Sequence, residues 1–276
     1  MNENCPDLSS CLFKYGTVNY LERTLEKCTL KFSDLTAFND IYENDYRLVH
    51  YFNDRNSVAE LGSGQHNPIG NVRDLIDEQL SKYRATCFSR RANISLMWSH
   101  YADHHKGVCY CFKAEQPNDI FIPRKSILWG NIVYSSRLPT VTVFQEHTRK
   151  NMLDELATQV LLTKPLEWAY EEEVRCWSDE PVDTVEFASE NLRAIIVGRR
   201  MPDDKIEEIE AHIKKFNKDK NQSIKIWFAC REPSSYNLSV HDNKDLRNAY
   251  EKTIVVDTPL LPKGDDSPLT CEIGDV

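Results

Sequence analysis

The sequence predicts an α+β fold, because short β-rich segments are interspersed with segments whose apolar residues recur at helical spacing. Of the 276 residues, 41% are hydrophobic and 28% are charged, a composition typical of a globular protein. We therefore expect one α+β domain over residues 1–256 with a sizeable core. Residues 257–276 form a proline-containing tail with five acids against Lys263 alone, for which we expect poor order or a docking role.

The first half of the chain contains strong strand and helix patterns on either side of a polar loop. Residues 53–72 contain several glycines and few apolar positions, which predicts a variable or lid-like loop. In the segment GVCYCFK, strand alternation places Val108, Tyr110 and Phe112 on one face. The predicted elements, in chain order, are a strand at Leu12–Tyr15, a helix at Val18–Lys27, a strand in TLKFS, a helix at Val72–Tyr83, a strand in ATCFS, a helix in ISLMWSHYADHH and a strand in GVCYCFK.

The second half ends in a predicted strand, helix, strand unit. A helix is expected to begin at Pro202, because Ile206, Ile209, Ile213 and Phe216 then lie on one stripe. Such a unit can close one edge of a sheet. The predicted elements are a helix within residues 144–164, a strand in WAYEEEVRCW, a strand at Leu192–Gly198, the helix from Pro202 and a strand at Ile224–Cys230.

Charge and apolar runs restrict the classes of function. The net charge of −9 provides no global field toward nucleic acid or anionic lipid. No apolar run approaches the roughly 20 residues of a membrane span. The nine cysteines lack CxxC spacing and the N-terminus lacks a signal-peptide pattern, so we expect reduced thiols, a cytoplasmic protein and no membrane partner. Arg84, Arg90, Arg91, Arg124 and Lys125 are candidates for a local basic groove, or are simply solvated surface.

The segment WAYEEEVR, from Trp168 to Arg175, is the strongest candidate for a functional site. On a strand, Glu171 and Glu173 share a face about 6 to 7 Å apart, and Arg175 continues that face as a counter-charge. A solvent-facing strand edge is the alternative. Aromatic residues crowd around the acids, namely Trp168, Tyr170 and Trp177, and favour a cleft for a flat ligand.

A second cluster is formed by His100, Asp103, His104 and His105 on a predicted helix. On that helix His100 and His104 share a face, so they are candidate zinc ligands and open the alternative of a metal-dependent hydrolase or nuclease. No glutamate follows His100 as in HExxH, so no metal is expected, and a helix whose histidines bond to loops is an equal alternative.

Three stretches together resemble an uncharacterised bacterial family known only as a domain of unknown function. They are FKYGTVNYLERTLEKCTLKFSDLTAFNDIYE, CFSRRANISLMWSHYADHHKGVCYCF, and WAYEEEVR followed by IIVG, within roughly residues 12–200. Their order is also similar to the ADP-ribosyltransferase fold, which implies a split mixed β-sheet with surrounding helices and NAD as substrate. The catalytic residues implied are Glu173, which stabilises the ribose cation, Glu171, which orients the acceptor, and Arg175 beside them.

The same resemblance implies where NAD would bind. Lys14 or Tyr15 would hold the NAD ribose or phosphate, Ser33 would brace the site, and Tyr101 would stack on nicotinamide. The pair Asn39-Asp40 would bind ribose hydroxyls or, as is commoner for such residues, cap a short helix. The first strand has lysine and tyrosine where those enzymes have histidine or arginine.

The function implied is mono-ADP-ribosylation of a macromolecule, with RNA or DNA slightly favoured over protein because of the basic residues at 84–91. A bacterial toxin or anti-phage effector with a neutralising antitoxin partner would fit this activity. The alternatives are the metal-dependent hydrolase or nuclease, and a non-enzymatic sensor or interaction module in which WAYEEEVR is an interaction strand.

Overall fold

The computed structural model of the chain describes residues 6–38, 40–51, 68–122, 127–144, 150–232 and 235–249. The α-helices in these ranges are α1 Leu21–Lys27, α2 Pro68–Lys82, α3 Ser95–Tyr101, α4 Lys150–Leu161, α5 Asp203–Lys220 and α6 Lys244–Ala249. The strands are β1 Cys11–Gly16, β2 Thr29–Lys31, β3 Ser33–Asp34, β4 Arg47–Tyr51, β5 Arg84–Ser89, β6 Val108–Lys113, β7 Ile127–Asn131, β8 Val133–Ser135, β9 Thr140–Phe144, β10 Thr163–Pro165, β11 Glu173–Ser178, β12 Thr184–Glu186, β13 Leu192–Val197, β14 Lys225–Arg231 and β15 Leu238–His241. The predicted α+β class is confirmed.

A nine-stranded mixed sheet is the main element of the fold. Its order is β15-β14-β13-β6-β1-β5-β11-β7, and β3 pairs with β5 in addition. Strands β13 and β14 run parallel, because the helix α5 between them returns the chain to the same end of the sheet. The neighbouring pairs β6–β13, β1–β6 and β5–β11 are antiparallel. The predicted strand, helix, strand unit therefore lies toward one edge, where β15 completes the sheet.

The sheet divides between β1 and β5. In the described part of the chain, β1 pairs with β5 only at Phe13 and Ser89, although it pairs with β6 along its whole length. The same edge of β5 pairs with β3 through Ala85 and Arg84. The middle of that edge, around Cys87, faces a gap between the two parts of the sheet. This division agrees with the expected split sheet, and the ADP-ribosyltransferase-like arrangement as such stays a prediction.

Strand β6 is buried on both faces. Val108, Tyr110 and Phe112 pack in the core beneath α5, as the alternation predicts, whereas Cys109 and Cys111 pack in a second core that includes residues of α3. Covering both faces requires a continuous apolar run rather than a polar alternation, which explains the sequence VCYCF.

Helix α5 is held by the stripe that its sequence predicts. Ile206, Ile209, Ile213 and Phe216 are all buried, and each contributes about 2 kcal/mol by leaving water. Pro202 is the N-cap, and the helix ends at Asn221, whose φ of 52° is left-handed.

Two predicted boundaries are wrong. The helix predicted from Val72 begins earlier, at Pro68, where proline costs no hydrogen bond at the first helical position. The strand predicted over WAYEEEVRCW begins only at Glu173, after a 3-10 helix over Leu166–Glu171. Residues 53–67 and the tail 257–276 lie outside the described residues.

None of the helices in the described ranges is long and apolar enough to cross a membrane. The cysteines of these ranges are all free thiols, as the spacing predicts; they are Cys11, Cys28, Cys87, Cys109, Cys111, Cys176 and Cys230.

Candidate functional site

A cavity of about 320 Å³ lies where β1 and β5 diverge. This volume is at the lower end of the roughly 300–1,000 Å³ typical of small-molecule sites. The wall combines aromatic and apolar side chains with a concentrated set of charges. The charged side chains on the wall are Lys14, Lys164, Glu171, Glu173 and Arg175.

A left-handed residue brings the two predicted catalytic glutamates to the cavity. The 3-10 helix ends at Glu171, Glu172 has a φ of 44°, and β11 begins at Glu173. Glu171 is therefore not on a strand, and the predicted arrangement of both acids on one strand face is wrong. The turn at Glu172 nevertheless directs Glu171 and Glu173 inward, while Glu172 itself is partly exposed and pairs with Arg91 at 3.2 Å.

Lys164 joins the two carboxylates. Its Nζ donates to Glu171 Oε2 at 2.7 Å and to Glu173 Oε2 at 3.3 Å. The Lys164 side chain is 4% exposed, and the two glutamate side chains are similarly buried. The repulsion between the acids is thus offset by a buried cation that comes from β10.

Arg175 fixes Glu173 from the other side. Its Nε donates to Glu173 Oε1 at 2.7 Å and one Nη to Glu173 Oε2 at 3.2 Å, the bidentate geometry that the sequence suggests. The other Nη donates to Glu43 Oε1 at 2.5 Å and to the carbonyl of Leu161 at 2.7 Å. Arg175 is fully buried and four of its five N–H groups are engaged in these bonds, so its main role in this arrangement is to position Glu173.

The two glutamates differ in their pKa. Burial opposes the charge of Glu173, but Arg175 and Lys164 outweigh it, and the pKa of Glu173 is lowered to about 2. Burial raises the pKa of Glu171 above its ordinary value, with Lys164 opposing. Burial also raises the pKa of the Cys87 thiol to about 12, so this neighbour of Glu173 is neutral and no nucleophile at neutral pH.

The first strand supplies the predicted lysine and tyrosine to the same cavity. Lys14 is partly buried on the wall. Tyr15 is buried, packs edge-on against Trp98, and donates its hydroxyl to the carbonyl of Arg91 at 2.8 Å. Lys14 therefore offers a cation to a ligand, whereas Tyr15 offers only ring surface because its hydroxyl is engaged.

Tyr101 and Ser89 both hold Glu171. The Tyr101 hydroxyl donates to Glu171 Oε1 at 2.5 Å, and the Ser89 hydroxyl donates to the Glu171 carbonyl at 2.6 Å. Tyr101 lies on the cavity wall as expected. Its hydroxyl is positioned to orient the carboxylate, in addition to the ring surface that the resemblance assigns to it.

Two other predicted residues, Ser33 and Asp40, are not among the residues on the cavity wall, and a third is not described. Ser33 pairs with Ala85 in the sheet and is not among the residues on the cavity wall. Asp40 accepts a hydrogen bond from the backbone amide of Tyr42 at 3.1 Å, which is the turn-capping use of such a residue. Asn39 lies outside the described residues.

The histidine cluster does not form the predicted helical face. Helix α3 ends at Tyr101, and Asp103, His104 and His105 have φ values of 45°, 52° and 70°. His104 is thus off the helix and is not stacked one turn above His100. Among the described residues, no group of three or more His, Cys, Asp or Glu side chains is arranged to hold a metal ion.

The aromatic residues of WAYEEEVRCW divide into two groups. Trp177 is buried in a separate core with Leu80 and Leu161 and does not line the cavity. Trp168 and Tyr170 lie instead beside His100, which is on the cavity wall. Only the first part of the predicted aromatic surroundings therefore belongs to the site.

Sequence reasoning missed Lys164, Glu43, Ser89 and Cys87. Lys164 and Ser89 lie in segments predicted as a helix end and a strand, and nothing in their spacing relates them to the glutamates. A possible signal was the lysine next to Pro165, where a polar residue interrupts an otherwise apolar segment. Glu43 has no local signal, because its role depends on contact with Arg175, 132 residues away.

The fold and the site together define an α+β protein with a charged cavity at the point where β1 and β5 diverge. Residues 97–176 match the family model described as "Protein of unknown function (DUF2971)", so the chain contains a DUF2971 domain over that segment. The expected domain of unknown function is thereby confirmed, over a shorter range than 12–200. The matched segment carries Tyr101, Lys164, Glu171, Glu173 and Arg175. Neither a curated protein nor a solved structure matches the chain significantly.

Proposed function

We propose that this chain is an NAD-dependent mono-ADP-ribosyltransferase that modifies a macromolecule. The observation that carries the proposal is the pair of buried carboxylates, Glu171 and Glu173, on the wall of a cavity in the division of the sheet. Acids with opposite pKa shifts in a cleft are typical of functional sites, because burying them costs free energy that folding alone does not require.

The residues on the wall fit a nicotinamide nucleotide. Tyr101 and Phe88 provide ring surface for a planar nicotinamide, and Lys14 provides a cation for a phosphate. The carboxylates of Glu171 and Glu173 are acceptors for ribose hydroxyls. The cavity volume suits the nicotinamide and its ribose, with the rest of NAD toward the opening.

Transfer requires one bond to break and one to form. The bond from the anomeric carbon of ribose to the nicotinamide nitrogen breaks, and its electron pair leaves with nicotinamide. The acceptor's nucleophilic atom bonds to that carbon and loses a proton. Positive charge develops on the ribose between these events, as in other glycosidic cleavages.

The two glutamates suit the two needs of this reaction. Glu173, with a pKa of about 2, is ionised at neutral pH and stabilises the positive charge on the ribose. Glu171, whose pKa is raised by burial, is the better proton acceptor for the incoming nucleophile. Lys164 and Tyr101 hold Glu171 in place for that task.

The test is transfer of label from adenylate-labelled NAD to separate pools of protein, DNA and RNA. We expect label in one pool, and a loss of about 100-fold or more in Glu171→Gln. Glu172→Gln is the matched control, because the neighbouring side chain is partly exposed and points away from the cavity. Failure of the folded wild-type chain to label any pool or to release nicotinamide would refute the proposal.

The biological setting that fits this activity is a cytoplasmic bacterial toxin or anti-phage effector restrained by a neutralising protein. Induced expression is expected to arrest growth, and Glu171→Gln is expected to relieve the arrest at equal protein level. If the wild type and the variant arrested growth equally, the toxicity would not depend on the transfer reaction.

A further inference from the structure

Three partly or fully exposed rings form a cluster beside the cavity, which we call the aromatic rim: His100, Trp168 and Tyr170. The ring centroids of His100 and Trp168 are 6.0 Å apart, those of Trp168 and Tyr170 are 6.0 Å apart, and those of His100 and Tyr170 are 6.5 Å apart. Each ring is therefore in contact range of the other two.

The aromatic rim is not a closed stack. The interplanar angles are 64°, 40° and 32°, so none of the three pairs is parallel. Lys164 Nζ lies 4.9 Å from the centroid of the Trp168 ring, and the same lysine holds Glu171 and Glu173. The rim thus contains one exposed residue, His100, and two partly exposed residues, and Lys164 lies between the Trp168 ring and the carboxylates.

Position along the chain places the aromatic rim next to the reacting groups. Trp168, Tyr170 and Glu171 belong to the same 3-10 helix, and His100 immediately precedes Tyr101, which contacts Glu171. The turn at Glu172 is flanked by an exposed arginine, since the backbone amide of Arg90 donates to the Glu172 carbonyl at 3.2 Å. A flat ring on the rim would therefore have the carboxylates on one side, whereas the Arg90 guanidinium is directed toward β7, where it donates to Asn131 Oδ1 at 2.8 Å.

We propose that the aromatic rim binds an unpaired base of a single-stranded nucleic acid, which makes such a strand the acceptor class of this site. Stacking on aromatic side chains is the common means of holding splayed bases. The chain's net charge of −9 argues against binding that depends on many phosphate contacts, so stacking supplies the main part of the affinity. The identity of the acceptor rests on the proposed function, whereas the binding of a base does not.

The first test measures binding without NAD. Fluorescently labelled single-stranded RNA and DNA oligonucleotides are titrated with the full chain and followed by anisotropy. Trp168→Ala and Tyr170→Ala are each expected to weaken binding about 5- to 150-fold, the range for loss of one stacked base. Trp168→Phe keeps a ring and is expected to lose less. Tyr20→Ala is the matched control, because Tyr20 is 65% exposed and is not part of the rim.

The second test asks whether the aromatic rim binds a base of a nucleic-acid strand or the adenine ring of NAD. Adenosine diphosphate ribose and the isolated oligonucleotides are compared as ligands of the wild type and Trp168→Ala. Binding of the strand that depends on Trp168 supports the proposal. Dependence on Trp168 for adenosine diphosphate ribose alone, with no strand binding, would overturn it and assign the rim to the dinucleotide.

Two further outcomes would also overturn the inference. Equal affinity for duplex and single strand would exclude an unpaired base, and retention of strand binding by folded Trp168→Ala, Tyr170→Ala and His100→Ala would exclude the rim. Nicotinamide release is measured in parallel. A chain that binds the strand through Trp168 yet never consumes NAD would refute the proposed transferase while leaving the base-binding site intact.

Discussion

Glu171 and Glu173 are separated in sequence by Glu172 alone and have opposite pKa shifts. The cause is the distribution of two cations, because Arg175 contacts Glu173 through two nitrogens and Lys164 contacts both acids. In enzymes, such a separation of pKa values is typical of neighbouring carboxylates that have different tasks. At the scale of single residues, Arg175 accounts for the difference between the acids, and Lys164, which contacts both, allows them to lie close together.

Replacing Lys164 is expected to destabilise the fold. Lys164→Met leaves Glu171, Glu173 and Glu43 buried with Arg175 as their remaining cation, and loss of one partner of a buried charge cluster costs about 3 to 5 kcal/mol. Urea unfolding at neutral pH measures the loss. Lys205→Met, at an exposed pair with Glu208, is the control and should change stability by about 0.5 kcal/mol or less.

A double mutant tests whether Lys164→Met destabilises the fold through repulsion between the acids or through a packing defect. Adding Glu171→Gln to Lys164→Met removes one unpaired charge and should recover part of the lost stability, giving a coupling energy in a double-mutant cycle. Additive effects of the two substitutions would contradict the assigned role of Lys164.

The pH dependence of stability should differ in sign between the two glutamates. The folded-state pKa of Glu173 is about 2, below the ordinary 4.5, so its contribution is present above pH 4.5 and lost as the pH falls toward 2. The stability difference between the wild type and Glu173→Gln, about 3 kcal/mol from this shift, should therefore narrow over that interval. Unfolding of both proteins across this range measures it.

Glu171 should behave in the opposite way. Its folded-state pKa is raised above 4.5, so its contribution is fully present below 4.5 and is lost as the pH rises through the raised value. The wild type should lose stability relative to Glu171→Gln as the pH increases. If the stabilities of Glu171→Gln and Glu173→Gln, each relative to the wild type, changed with pH in the same way, the two carboxylates would share one environment and this prediction would be wrong.

At the scale of elements, the loop after α3 is held by close backbone packing. A Cβ on Gly107 would lie 2.3 Å from the carbonyl oxygen of Gly16 and 2.7 Å from the carbonyl carbon of Ala102. The approach ties the end of β1, which carries Lys14, to the loop that follows Tyr101. This close contact holds two walls of the cavity, β1 and the segment that carries Tyr101, in position relative to each other.

Gly107→Ala is accordingly expected to destabilise the chain by about 1 to 3 kcal/mol, because the new methyl group meets backbone rather than a flexible side chain. Thermal unfolding measures the effect. Gly16→Ala is a matched control on the other side of the contact, since its Cβ would meet only Tyr110 at 3.8 Å, an ordinary contact distance. Equal melting temperatures for both variants would refute this description of the loop.

Local patterns predicted the elements better than the site. The alternation in β6 and the stripe of α5 follow from periodicity, so both were predictable. The end of α3 at Tyr101 was not, because the left-handed residues Asp103 to His105 carry no glycine or asparagine that would signal it. The same reason applies to Glu172, whose left-handed φ separates Glu171 from the strand that begins at Glu173.

At the scale of the whole molecule, the candidate site lies where β1 and β5 diverge. Lys14 on β1, Tyr101 after β5, Lys164 on β10 and Glu173 on β11 come from distant parts of the sequence and meet at one cavity. A single sequence contains no information on such pairings beyond chain order, which is why the contacts of Lys164 with the two glutamates and of Glu43 with Arg175 could not be predicted. The division at Phe13 and Ser89 is what makes room for a ligand beside the acids.

The most direct measurement of this account is a structure of the chain with a non-hydrolysable NAD analogue. We predict the nicotinamide ribose between β1 and β5, with a hydroxyl within hydrogen-bond distance of Glu171 or Glu173 and a phosphate near Lys14. An analogue bound elsewhere, for example in the depression between α1 and α5 lined by Glu22 and Lys215, with the cavity beside Glu173 empty, would contradict the account.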